Sequence, residues 1–435
     1  MDEYACPPKS KLLETLVNHD VQPALDALRH ARAEATGTLR DLIRIPSVGG
    51  TAAESEIVHH VAGLLRAEGV EIDLWPIPVA ELSARPDFPG MEVGRDEAWG
   101  LVARLPGVDP EAPALMFNGH LDVVPPGDPA TWSVDPWSGE IRDGHAYGRG
   151  ACDMKGGFVA ALSAFLALHR TGTRPRGDLL LAAVVGEEDG GLGTYATLAR
   201  GWRAGACVIT EPTAQDVLAA NGGALTFRLR VPGLAAHACA RTSGVSAVEK
   251  FQLIFPVLRA LEASRNRTVD PMMRRWDIAY PLEVGTVRSG DWASTVPDLL
   301  IAEGRFGVAL DEPVAEARAA FESTVAEACA ADPWLKEHPV TVEWWGGQFA
   351  SGRCPSGTDL VQRVVSTHAR VHGGPAPEVV GAPYGSDLRL LTAAGIPAVQ
   401  YGPGVGYGHC PDERVSLDQV HACAETLLHL AVNDS

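Results

Sequence analysis

Three short apolar runs, each ending in a histidine or a carboxylate, constrain the fold of this chain more than any other feature. Ala114-Leu-Met-Phe117 empties at Gly119 into His120-Leu121-Asp122. Asp178–Val185 runs into Gly186-Glu187-Glu188-Asp189-Gly190-Gly191, and Ala206–Thr210 is followed at once by Glu211-Pro212. Short apolar runs bounded by glycine and polar residues read as buried strands. Between the first two lies a helical pattern from Gly157 to about His169, with Phe158, Leu162, Phe165 and Leu166 on one face. Repeated strand–loop–helix order points to an α/β class with a largely parallel sheet. Such sheets place their ligand crevice along the carboxyl edge of the strands, where residues far apart in sequence can meet.

At 435 residues the chain is long for one core, which predicts two domains. The texture changes after Thr213. Strand patterns at 220–231, 281–287, 297–306 and 340–345, with helix patterns at 246–265 and 314–329, give the order β-α-β-β-α-β of a ferredoxin-like split unit. The expected layout is therefore a catalytic domain from 1–215 plus 349–435, interrupted by an inserted domain over 216–348. The first ten residues read as loose. Helices are expected over 21–43 and from Thr51 to Gly69, the second opened by a Thr51/Glu54 capping box. The Pro- and Glu-rich stretch 78–95 reads as a surface excursion, and 140–147 as a hairpin returning Asp153 toward His120.

A net charge of −19 argues against nucleic acid and anionic membranes as partners. No apolar run reads as long enough to span a bilayer. The start MDEYACPPKSK lacks the layout of a secretory signal, so a cytoplasmic location is expected. Eight cysteines without paired spacing read as free thiols in a reducing compartment. Cys152 and Cys410 adjoin suspected ligands, but with no C-x-x-C they read as small packing residues.

Taken singly, His120 could be a hydrogen-bonded core histidine, Asp153 an N-cap, and Glu187-Glu188-Asp189 a solvated acidic loop. Taken together with Glu211 and His409, they form a set of carboxylates and imidazoles at strand ends. Such a set repels itself unless cations neutralise it. Mixed nitrogen and oxygen donors suit zinc, and two ions bridged by one carboxylate make a hydrolytic site. Asp153, short and held on a glycine-pinned turn, is the natural bridge. Glu187 and Glu188 are adjacent and cannot easily face one ion, so one ligates while the other moves a proton.

The motifs NGHLDVVPPGD, YGRGACDMKGG, VVGEEDGG, TEPT, GLAAHA and GYGHCPDE, in this order, resemble the M20 metallopeptidases and deacylases, which include acetylornithine deacetylase, succinyl-diaminopimelate desuccinylase and carboxypeptidase G. The resemblance implies that His120, Asp153 and Glu211 hold one zinc and that Asp153, Glu188 and His409 hold the other, with Co(2+) or Mn(2+) as substitutes. It implies Glu187 as general acid/base, Asp122 as the carboxylate steering His120, and a cis peptide at Asp153-Met154. His237 would reach from an inserted lid into a partner's site in a homodimer, although a plain strand-end role is its alternative. Arg305 would grip a substrate carboxylate, with an ordinary salt bridge as its alternative. Ser294 stands where many relatives carry asparagine, and Trp292 is expected to shape the pocket in its place. The implied activity is removal of a small acyl group from an amino acid or related small amine. A dipeptidase or aminopeptidase is the alternative within hydrolases, and a non-catalytic binding homologue the alternative from another class.

Overall fold

The computed structural model describes residues 21–355, 357–404, 406 and 408–432. The first ten residues, expected to be loose, and Cys6 lie outside the described residues. The fold is mixed α/β with a central sheet of nine strands. From one edge the order is Glu71–Pro76, Trp99–Leu105, Leu179–Val184, Leu115–His120, Ala206–Ile209, Ala398–Gln400, Val217–Asn221 and Gly352–Arg353, with Val379–Ala382 also paired to Val217–Asn221. The four strands from Leu179–Val184 through Ala398–Gln400 are mutually parallel, and antiparallel strands flank them. Strands buried on both faces lose the polar alternation of exposed ones. Leu115–His120 and Leu179–Val184 are accordingly buried at every position.

Register decides where the polar ends meet. His120 faces Val184 and Asn118 faces Ile209, so the strands ending at His120, before Glu187 and before Glu211 all stop along one edge. The helix Gly156–Thr171 crosses the sheet and packs against Gln22–His30 and Leu417–Val432. The segment Ala151–Thr171 is long and apolar enough by composition to cross a membrane, contrary to the sequence reading. It is instead the central helix of the core, with 83% of its apolar window buried inside the protein.

A second sheet is wholly antiparallel, in the order Leu282–Ser289, Leu299–Val308, Gly223–Pro232 and Thr341–Phe349. The helices Ala247–Arg265 and Val314–Ala330 pack together beside it, over a separate cluster that includes Phe227, Phe306 and Phe321. The strand expected at 220–231 is two strands. Residues 217–221, expected with the inserted unit, pair in the large sheet, and the chain crosses between sheets at Gly222-Gly223. A Cβ on Gly223 would lie 2.4 Å from the carbonyl oxygen of Phe349, so the crossing requires glycine.

One local expectation fails and another holds for only part of its stretch, for one reason. The Thr51/Glu54 capping box does not form, because Thr51 makes no side-chain cap. The Glu54 carboxylate is taken by Arg95, with bonds of 2.8 Å from Nε and 2.9 Å from Nη2. Arg95 belongs to the stretch read as a surface excursion, yet its side chain is fully buried. From the same stretch, Glu92 and Val93 line the cleft described next.

Candidate metal centre and active-site cleft

His120 ends its strand with both ring nitrogens engaged. Nδ1 lies 2.9 Å from the carbonyl oxygen of Asp122 and Nε2 lies 3.1 Å from Asp153 Oδ1. Glu211 Oε1 is 3.8 Å from the same Nε2. On the other side of Asp153, Oδ2 lies 3.6 Å from His409 Nε2, which is 3.0 Å from Glu188 Oε2. Two groups result, His120/Asp153/Glu211 and Asp153/Glu188/His409, each with candidate ligand atoms within 4.8 Å of one another. One Asp153 oxygen serves each group.

The chain builds this junction from backbone constraints. Gly150 is left-handed, and Asp153-Met154 is a cis peptide, as the resemblance implies. Gly157 opens the following helix so close to the strand end that a Cβ would meet Thr210 O at 1.7 Å. Glu413, buried, accepts the backbone N–H of Cys152 at 2.9 Å and of Asp153 at 3.0 Å, which fixes the turn from behind. Cys152 is buried and Cys410 half-buried, and neither belongs to either group.

Asp122 stands beside His120 as expected, and does more. Its carboxylate stands 3.6 Å from His120 Nδ1, and its backbone carbonyl oxygen lies nearer to the same nitrogen, at 2.9 Å. The carboxylate oxygens accept the backbone N–H groups of Glu187 at 3.3 Å and Glu188 at 3.2 Å. The next residue, Asp189, is clamped by Arg95 through bonds of 2.9 Å to each oxygen. The loop carrying both glutamates is thus pinned at three consecutive residues.

The electrostatics are those of a cation site. Burial, reinforced by the Asp153 charge, holds the Glu211 carboxyl well above the usual carboxylate range. Burial and then the nearby Asp387 do the same to Glu187. The Glu188 hydrogen bond lifts His409 to about 9, against the effect of burial. Burial would discharge His120, but the surrounding carboxylates outweigh it and raise its proton affinity. Glu187 Oε1 is buried with no hydrogen-bond partner. Three carboxylates and two imidazoles, with a fourth carboxyl beside them, are the donor set of divalent metal ions.

A cleft of about 860 Å³ opens over this centre. Its walls include Asp153, Glu187, Glu188, Glu211 and His409. Arg305 also lines it but is paired with Glu92 at 3.1 Å. The other lid expectations are not met within one chain. Trp292 is 74% exposed, Ser294 and His237 are exposed, and none of the three lines the cleft. They lie close together, with His237 bridged to Thr295 and Ala238 N–H donating to Ser294 O. Sequence reasoning missed Glu413, Arg95 and Glu92. Only the first had a signal, its place in GYGHCPDE two residues past the histidine-cysteine-proline.

Residues 116–433 match the model of peptidase family M20/M25/M40. The chain belongs to this family. It is 26% identical over 407 residues to the N-formyl-4-amino-5-aminomethyl-2-methylpyrimidine deformylase of Bacillus subtilis (strain 168), covering 86% of this chain and 88% of that one. It is 29% identical over 406 residues to the succinyl-diaminopimelate desuccinylase of Rhodopseudomonas palustris (strain BisA53), covering 90% and 95%. Among solved structures, a dipeptidase of Saccharomyces cerevisiae superposes with a TM-score of 0.74 at 15% identity, covering 95% of this chain and 98% of that one. As an M20 protein the chain is a metal-dependent hydrolase of amide bonds.

Proposed function

We propose that this M20 hydrolase is a dinuclear zinc deacylase that removes a small acyl group, of the formyl, acetyl or succinyl class, from an amino acid or related small amine. The observation that carries the reading is the pair of ligand groups sharing Asp153, with the buried, unpartnered Glu187 oxygen among them. His120, Asp153 and Glu211 would hold one ion, and Asp153, Glu188 and His409 the other. Bound divalent ions supply Lewis acidity toward the scissile carbonyl and make water a nucleophile near neutral pH. Glu187 takes the proton of the attacking water and delivers it to the departing amine nitrogen, a role matched to a carboxyl whose proton affinity burial has raised. Asp122 and Arg95 hold the loop so that Glu187 and Glu188 keep separate tasks.

In this reading 1–215 plus 349–435, together with the strand Val217–Asn221, form the catalytic unit, and the rest of 216–348 is a ferredoxin-like lid, supported by the strand order of the second sheet. The exposed group of His237, Trp292 and Ser294 then acts across a homodimer, completing a second copy's site. The free cysteines support a cytoplasmic setting. The deciding experiment is Glu187→Gln. Turnover of N-acyl amines should fall by orders of magnitude while zinc content by atomic absorption stays at two per chain. Undiminished turnover defeats the mechanism, and faster cleavage of dipeptides than of any N-acyl amine reassigns the enzyme to the peptidases.

A further inference from the structure

Arg305 lines the cleft with its side chain 44% exposed, and one nitrogen of its guanidinium is engaged by an acid of the same wall. Nη2 donates to Glu92 Oε1 at 3.1 Å, and the same oxygen accepts the Thr226 hydroxyl at 2.8 Å. Both Glu92 and Arg305 line the cleft. Glu92 is a placed acid. Its backbone N–H donates to Asp189 Oδ2 at 3.0 Å, tying it to the clamp on the Glu187-Glu188 loop. Its Cγ lies against Gly346, where a Cβ would come within 2.4 Å. Gly346 also has φ +64, so the strand that makes room for Glu92 does so with a residue other side chains replace poorly.

The other arginine of the cleft is paired too. Arg275 Nη1 lies 2.9 Å from Asp216 Oδ2 and 3.9 Å from Glu378 Oε2. Among the described lining residues no arginine or lysine is left without a carboxylate partner. The surfaces next to these pairs are apolar and planar, with Trp276, Pro281, Phe349 and Tyr384 in the wall. A second carboxylate entering this end of the cleft must compete for Arg305 with Glu92, whose carboxylate is held in place by the Thr226 hydroxyl. Such juxtaposition is an effective way to reject a ligand.

We infer that Glu92 is a specificity-determining residue that closes the Arg305 subsite to carboxylates, so that the amine released carries an uncharged, planar or apolar distal group. This inference rests on the deacylase reading and narrows it from N-acyl amines in general to those without a distal carboxylate.

A matched pair of probes tests it: N-acyl benzylamine and the same amide bearing a para-carboxylate on the ring, each as formyl and acetyl derivatives. With the zinc-loaded wild type, kcat/KM for the uncharged amide should exceed that for the carboxylate by at least tenfold. Glu92→Gln keeps the size and the Thr226 contact but removes the charge, and it should shrink that ratio at least tenfold by raising the rate on the carboxylate. Adding Arg305→Ala to Glu92→Gln should restore the original preference. A wild type that prefers the carboxylate, or a ratio unmoved by Glu92→Gln, overturns the inference. Calorimetric binding of both amides to Glu187→Gln, with and without Glu92→Gln, reads the same preference without turnover. Preferential binding without hydrolysis in the wild type would sink the deacylase reading and leave the role of Glu92 standing. Equal binding, or none of either amide, overturns that role.

Discussion

Replacing Arg95 by methionine isolates what holds the loop of Glu187 and Glu188. The Arg95 side chain is fully buried and makes four bonds of 2.8–2.9 Å to carboxylate oxygens, two on Glu54 and two on Asp189. Glu54 is as deeply buried as its partner, and the Asp189 side chain is 10% exposed. Methionine fills similar space but leaves two carboxylates facing each other out of water. Removing one partner of a buried ionic network costs about 3–5 kcal/mol. An unfolding entropy of about 2.1 cal/mol/K per residue gives roughly 0.9 kcal/mol/K for 435 residues, hence a fall in Tm of about 3–5 °C. Arg95→Lys keeps the charge but loses the fork, and should fall between the two. Because Asp189 is released from the clamp, kcat should drop about tenfold to a hundredfold, the usual cost of a small misplacement of a catalytic group. Calorimetric melting and steady-state kinetics on the metal-loaded protein read both effects. A methionine variant melting within about 1 °C of the wild type with unchanged kcat would refute the claim that this network positions the loop.

Gly157→Ala should yield little soluble protein, or protein weakened by about 1–3 kcal/mol or more in urea unfolding, because the added carbon collides with Thr210 O beside Glu211. Stripping divalent metal with a chelator should abolish turnover, and restoring zinc to about a hundred times its dissociation constant should raise Tm by roughly 3 °C, from about 2.7 kcal/mol of linkage. Asp153→Asn should lose that rise, and a chelator-treated protein melting identically with and without zinc would count against the metal centre. Hydrogen bonds from Arg29, opposed by burial, hold Glu425 below the ordinary glutamate range. The stability it lends is therefore present above about pH 4.3 and lost as pH falls through its lowered folded value. Glu425→Gln should cost under about 1 kcal/mol at pH 7, a half-exposed arginine being one partner, and progressively less as pH falls through the lowered folded value. Mixing inactive His237→Ala with inactive Glu187→Gln should restore part of the activity if His237 serves a second copy's site, and no recovery places its role within one chain.

The parts of the site legible in sequence were those written into strand ends. His120, Glu187, Glu188 and Glu211 each follow an apolar run, and parallel register brings such ends to one edge whatever their separation. The parts that escaped are pairings whose partner is remote. Nothing near Glu54 announces Arg95, and a local capping rule claimed that carboxylate until a buried guanidinium outbid it. The stretch 78–95 reads as surface because it is rich in proline and charge, and its first ten residues are mostly exposed, yet near its end Glu92 and Arg95 are counter-ions of the cleft wall and the core. His237, Trp292 and Ser294 are legible as motif positions, but a single chain leaves them on the outside.

The crossing at Gly222-Gly223 has a consequence for how such a chain can vary. Ala224 faces Phe349 in one sheet and Asn221 faces Gly352 in the other, so the polypeptide departs and comes back about 4.8 Å apart, one strand spacing. The covalent ties of everything between those two points are a pair of adjacent strand ends. The excursion can lengthen or shorten without shifting His120, Asp153 or Glu211 upstream, or His409 downstream, so long as Arg305 and Thr226 keep their contacts with Glu92. Selectivity for what is cut can then drift through the hanging part while the cutting residues stay put.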